Sequence, residues 1–86
     1  MKKLPSPCID ICKFRRKGPG GDHCIGCSMT KSQKRMFKAL KKPEHQATFI
    51  AFVRLQQDAM SKYRHWEPAF AKKCAKKGVR PPKTAA

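Results

Sequence analysis

Ser6-Pro7-Cys8-Ile9-Asp10-Ile11-Cys12 and, after eleven further residues, Cys24-Ile25-Gly26-Cys27 are the stretches from which the rest of the chain is read. The spacing is C-x3-C, a gap, then C-x2-C. Two close pairs joined by a long excursion let a short chain wrap a tetrahedral ion or a small iron–sulfur cluster. In Cys24-Ile25-Gly26-Cys27 both sulfurs leave one tight turn, and Gly26 permits the close backbone approach such a turn needs. Cys8 and Cys12 are more loosely spaced, as at the end of an extended segment. Asp10, between them, is placed to hold that turn through backbone N–H groups.

The excursion itself, Lys13 to His23, is basic and then rich in Gly and Pro, which predicts a turn or flexible loop rather than a helix or central strand. Downstream, Thr30-Lys31-Ser32-Gln33 matches a capping box, in which Thr and Gln side chains satisfy orphan N–H groups at a helix start. Met36, Phe37 and Leu40 then recur at helical spacing. Pro43 ends this first helix and suits the first turn of a second. In the second helix Ala47, Ile50, Val53 and Met60 form one stripe, which Phe49, Phe52 and Leu55 widen. Gln56, Gln57, Lys62 and Arg64 are expected to face water, and Tyr63 and Trp66 to close the helical core. The expected architecture is a small, mostly α, metal-stabilised domain. Its knuckle (5–29) packs on a two-helix hairpin (about 30–42 and 44–64), and residues 67–86 form a basic tail. Pro68 could open a short helix there with Gly78 as its stop. The tail's charge otherwise predicts that it stays unpacked and mobile unless a partner orders it.

Composition sets the terms for function. Among 86 residues, 21 are Lys or Arg and 5 are Asp or Glu, a formal charge of +16. Self-repulsion at that density opposes compactness, and a domain this short is marginal without a staple. The same charge suits contact with RNA, DNA or an anionic membrane surface. Met1-Lys2-Lys3-Leu4 runs into Pro5-Ser6-Pro7, not an apolar core, so no signal peptide is read. No apolar run is long enough to span a bilayer. A reducing, cytoplasmic setting is the expectation, and there clustered cysteines favour a metal over disulfides.

At these residues the chain resembles the domain-of-unknown-function family 1289. Ser6-Pro7-Cys8-Ile9-Asp10-Ile11-Cys12, Cys24-Ile25-Gly26-Cys27 and Thr30 carry the resemblance, which spans roughly residues 5–60. The family's members are short bacterial proteins, often described as predicted iron–sulfur proteins. The resemblance implies that Cys8, Cys12, Cys24 and Cys27 are the shared metal-site positions. It also implies a bacterial source and assigns no activity. Where the family usually has an acidic, Trp-containing helix after Thr30, this chain has the basic Lys31-Ser32-Gln33-Lys34-Arg35-Met36-Phe37.

Four cysteines at this spacing accept one Zn2+, the favoured cofactor, or an iron–sulfur cluster. His23 reads as a loop residue or as a donor to a ligating sulfur, and His45 and His65 as solvated. Cys74, flanked by Lys72, Lys73, Lys76 and Lys77, has an electrostatically favoured thiolate and reads as a bystander or a reactive thiol. Lys31, Lys34, Arg35, Lys38 and Lys42 recur at spacings of three and four and could track phosphates. Arg15 and Arg16 in the loop and Lys72, Lys73, Lys76 and Lys77 in the tail could extend that surface. The sequence has no Ser/His/Asp arrangement, phosphate-cradling Gly motif or paired carboxylates, so enzyme chemistry finds no support. The function expected is a non-enzymatic metal-binding module that contacts nucleic acid. The alternatives are an iron–sulfur protein in electron transfer, cluster handling or redox sensing, and an accessory subunit that docks an acidic protein.

Overall fold

The structure is a computed structural model and describes residues 3–82. The segment expected to be a loop is a β-hairpin. Strand β1 (Phe14–Gly18) pairs antiparallel with β2 (Gly21–Cys24), in the register Phe14↔Cys24, Arg16↔His23, Lys17↔Asp22 and Gly18↔Gly21. Gly21, at φ 105°, makes the return possible, since only glycine adopts that conformation without strain. A bulge falls between Phe14 and Arg16. Phe14 and Arg16 lie half-buried, while Arg15 and Lys17 are exposed. The alternation of a strand is therefore present, but an arginine occupies one inward position and conceals it.

Helix α1 (Lys31–Ala39) starts at Thr30 with the capping box formed in both directions: Gln33 N–H donates to Thr30 Oγ1, and Thr30 N–H donates to Gln33 Oε1. It stops at Leu40, whose backbone is extended, three residues earlier than Pro43 requires. Helix α2 (Pro43–Met60) begins on that proline, with Glu44 in its positive first turn. It ends four residues short of the expected boundary. Ser61 and Lys62 both take positive φ (61° and 69°), a conformation that costs about 1–3 kcal/mol at each non-glycine residue. The turn they make directs Tyr63 and Trp66 back into the interior, where both are buried.

Helix α3 (Trp66–Lys77) occupies the basic segment and ends on Gly78 in the left-handed conformation. This segment is not loose. Trp66, Phe70 and Cys74, one turn apart, are each fully buried, and the Trp66 and Phe70 rings stack at 4.6 Å. Its exposed lysines, Lys72, Lys76 and Lys77, occupy the other faces. Arg54 is buried on α2 and ties the two helices together by a bidentate pair with Glu67 (2.6 and 3.3 Å) and a bond to Pro82 O. The Cα radius of gyration is 12.0 Å, close to the roughly 12 Å of a folded chain this long, so α3 is folded back onto the rest. The disorder expected beyond it falls in part on residues 83–86, outside the described residues.

Ile50 and Val53 are wholly buried and Ala47 and Met60 partly so, as the α2 stripe requires. Of the wider band Phe49 packs on the core, against Phe37, but Phe52 is 45 % and Leu55 63 % exposed, as is Met36 on α1 at 57 %. Their places inside are taken by polar residues. Gln46, Arg54 and Gln57 are buried on α2, and Gln56 is half-buried. Each has backbone partners to satisfy, and those of Gln56 and Gln57 lie in the cysteine segment.

Candidate metal centre and its backbone clamps

The carbonyls of the cysteine turns are held one by one by side chains from α2, α3 and the turn between them. Gln57 Nε2 donates to Cys27 O (3.0 Å), Gln56 Nε2 to Ser28 O (2.6 Å) and Tyr63 Oη to Cys24 O (2.7 Å). His65 Nε2 donates to Gly26 O (3.1 Å) and Trp66 Nε1 to Pro7 O (2.8 Å). Lys73 Nζ donates to Ser6 O and Cys8 O. A turn tight enough to present two sulfurs cannot pair its own carbonyls, and buried carbonyls left unpaired are costly. The expectation that Gln56 and Gln57 face water fails for that reason. His65, although exposed, is likewise engaged and not simply solvated.

His23 is fully buried. Its Nε2 accepts from Gly20 N–H (3.0 Å), so Nδ1 carries the proton and donates to Ser28 O (2.7 Å). Both ring nitrogens are thus spent on backbone. His23 braces the hairpin turn against the second cysteine turn and offers neither nitrogen to a metal.

The sulfurs lie beside one another in two pairs. Cys8 Sγ and Cys12 Sγ stand 3.4 Å apart, near the roughly 3.8 Å edge of a tetrahedral thiolate site with 2.3 Å bonds. Cys24 Sγ accepts from Gly26 N–H (3.3 Å) and donates to Ile11 O (2.8 Å), which links the second pair to the first. Cys8, Cys24 and Cys27 are buried and Cys12 is exposed. Burial pushes the Cys27 thiol up to about 12, and the neighbouring Cys24 and Cys8 add to the effect. Cys8 is also raised, chiefly by burial. Cys12 is lowered, first by the ammonium of Lys34, whose Nζ lies 3.0 Å from its sulfur. Among the described residues, no three Cys, His, Asp or Glu side chains are grouped closely enough to hold a metal ion as they stand. The donor chemistry nonetheless fits a soft cation: two thiol pairs, mostly buried, with N–H groups and one ammonium directed at sulfur. Thiols raised by burial stay protonated until a cation offsets their charge, so binding one there would release protons.

The cations proposed for a phosphate-tracking surface divide into two sets. Arg15, Lys31, Arg35, Lys38, Lys42, Lys72, Lys76 and Lys77 are exposed. Arg16, Lys34 and Lys73 are half-buried and otherwise occupied. Arg16 lies 4.8 Å over the Tyr63 ring, Lys34 serves Cys12, and Lys73 holds the N-terminal carbonyls. Cys74 is buried in the core, and desolvation raises its thiol. The lysines around it do not make it a favoured thiolate: Lys72, Lys76 and Lys77 are exposed, and burial outweighs the lowering pull of Arg54 and Lys73.

Residues 6–56 match the family described as Protein of unknown function (DUF1289). The chain belongs to this family. The DUF1289 match takes in all four cysteines of the turns, the hairpin, α1 and most of α2. Several clamps that hold those turns lie beyond it, at Gln57, Tyr63, His65, Trp66 and Lys73. No curated protein matches the chain, and no solved structure does. No helix among the described residues is long and apolar enough to cross a membrane.

Proposed function

We propose that this protein is a non-enzymatic module in which Cys8, Cys12, Cys24 and Cys27 bind one Zn2+, and in which the bound ion fixes a basic surface that contacts RNA or DNA. The observation that carries the reading is the clamping of the cysteine turns. Seven carbonyls between Ser6 and Ser28 are held from the helical half of the chain and by His23, which supports the reading of a braced backbone around the two thiol pairs, whose sulfurs would still have to close on an ion. A four-thiolate site carries a net negative charge with a divalent ion, and Lys34 is the cation placed to offset it. In this reading the knuckle rests on a hairpin of α1 and α2, and the ion adds the staple that a short +16 chain needs. The exposed cations of β1, α1 and α3 then meet phosphates, without base recognition.

An iron–sulfur cluster on the same cysteines is the second reading. It is favoured by the hydrogen bonds to sulfur from Gly26 N–H and Lys34, which are of the kind that tune cluster potential. Metal and acid-labile sulfide analysis of anaerobically purified protein separates the two. One zinc per chain, no sulfide and no visible absorption are expected. Stoichiometric iron and sulfide would replace zinc with the cluster, and a folded chain with neither would remove the metal from the reading.

A further inference from the structure

The two thiol pairs differ in what they offer to solvent. Of the five cysteines Cys12 alone is exposed; Cys8, Cys24, Cys27 and Cys74 are buried. The reversal that brings Cys12 beside Cys8 turns on Asp10, whose φ of 69° lies in the left-handed region that aspartate enters more readily than most residues. It leaves the Cys8 and Cys12 sulfurs 3.4 Å apart. A disulfide bond is about 2.05 Å long, so a closing movement of roughly 1.4 Å joins them. Lys34 Nζ stands 3.0 Å from the Cys12 sulfur on the exposed side. The second pair is arranged otherwise. The Cys24 sulfur is engaged by Ile11 O and Gly26 N–H, and both Cys24 and Cys27 are almost wholly shut away from water.

We infer that Cys8 and Cys12 are a peroxide-reactive dithiol, in which Cys12 is oxidised first and Cys8 resolves it, so that oxidation takes two of the four cysteines out of the metal centre. A small oxidant from solvent meets Cys12 and no other sulfur. The Cys12 sulfur attacks one oxygen of hydrogen peroxide and the O–O bond breaks. The second oxygen leaves as water, with the ammonium of Lys34 in place to hydrogen-bond it as it departs. Cys12 is then a sulfenic acid. The Cys8 sulfur attacks the Cys12 sulfur, the S–O bond breaks, and a second water leaves. Two thiols are oxidised to one disulfide, and one peroxide is reduced to two waters. An exposed disulfide over so short a loop belongs to the reducible class, so a thiol reductant reverses the step. A disulfide has no thiolate to give a cation, so the oxidised chain keeps only Cys24 and Cys27 as donors. This effect on a bound ion rests on the four-cysteine zinc reading above; the disulfide itself does not.

The test uses the full chain, purified anaerobically and fully reduced, with its metal content measured before treatment. Stoichiometric hydrogen peroxide is added, the remaining thiols are alkylated, and the peptides are mapped by mass spectrometry. The first product should be a chain lighter by two hydrogens, with Cys8 joined to Cys12 and with Cys24 and Cys27 alkylated, and dithiothreitol should restore it. Cys8→Ser should leave Cys12 as a sulfenic acid that dimedone captures, and Cys12→Ser should slow the oxidation at least about tenfold. The wild-type map decides between pairings even where those variants fail to fold. A first disulfide between Cys24 and Cys27, or between the two turns, overturns the proposal, as does oxidation to sulfinic acid with no cross-link. Zinc bound before treatment should be released in step with the disulfide, and zinc that stays bound afterwards overturns the effect on the metal centre. A chain that forms the disulfide but carries no zinc overturns the zinc reading and keeps the dithiol. A chain that binds zinc and yields no Cys8–Cys12 disulfide keeps the zinc reading and overturns the dithiol.

Discussion

Gly26 has no room for a side chain. A Cβ there would stand 2.9 Å from both Ile11 Cβ and the Ile11 carbonyl oxygen, the same carbonyl that takes the Cys24 thiol hydrogen bond. Backbone cannot yield as a flexible side chain can, so Gly26→Ala must push the two cysteine turns apart. A loss of about 1–3 kcal/mol is expected in urea denaturation. A variant as stable as wild type would show that the turns are not in contact. Cys74 is tested by pH. Its thiol is buried and raised above the ordinary value of about 8.5, so the folded state holds a proton that the unfolded chain releases first. Its contribution is complete below that value and is lost as pH rises through the higher folded one. Cys74→Ala should cost about 1–2 kcal/mol near neutral pH, through lost packing. The gap to wild type should narrow in alkali. A gap that widens with pH would mean that the thiolate is stabilised after all.

At the scale of elements, the capping box at Thr30 is the feature read most directly from sequence, because every atom it uses lies within four residues. Thr30→Ala should cost about 1 kcal/mol in thermal unfolding, since it removes the side-chain acceptor of the Gln33 N–H at the start of a nine-residue helix. Thr30→Asp should recover most of that. An unchanged midpoint for Thr30→Ala would mean that α1 is held by packing alone. The other helix signals, Pro43 at the start of α2 and Gly78 after α3, are equally local and equally legible. What stayed hidden depends on partners far along the chain. Gln57 is polar and reads as solvent-facing until Cys27 O, thirty residues away, is known to need a donor. Trp66 Nε1 reaches fifty-nine residues back to Pro7 O, and Lys73 reaches farther still. Hydrophobic periodicity assumes that inward means apolar. Here the inward positions serve backbone that the cysteine turns cannot pair by themselves, and Phe52 and Leu55 are left outside. The hairpin is illegible in the sequence for a related reason: the inward position Arg16 packs over Tyr63 as a flat cation, which apolar periodicity does not register.

For the molecule as a whole, the charge of +16 is not one uniform cloud, and the division within it has consequences for binding. Lys38 is exposed on α1, with no hydrogen-bond or ion-pair partner among the described residues. Lys73 is half-buried and fastens α3 to the carbonyls of Ser6 and Cys8. If the surface meets phosphates as proposed, each exposed cation that does so releases counterion on binding, and the logarithm of affinity falls with the logarithm of salt at a slope set by their number. Lys38→Ala should then lower affinity for any RNA or DNA of the same length alike. It should reduce the salt slope by about 1 and leave the melting temperature within error. Lys73→Ala should do the reverse, keeping the slope and losing stability by about 1 kcal/mol, because two part-buried carbonyls lose their donor. Fluorescence anisotropy with a labelled single strand across a salt series, paired with thermal melts, reads both effects. If the two variants change slope and stability together, the cations act as one diffuse field. If Lys38→Ala changes neither, α1 is not the phosphate-facing side, and the exposed lysines of α3 become the surface to test.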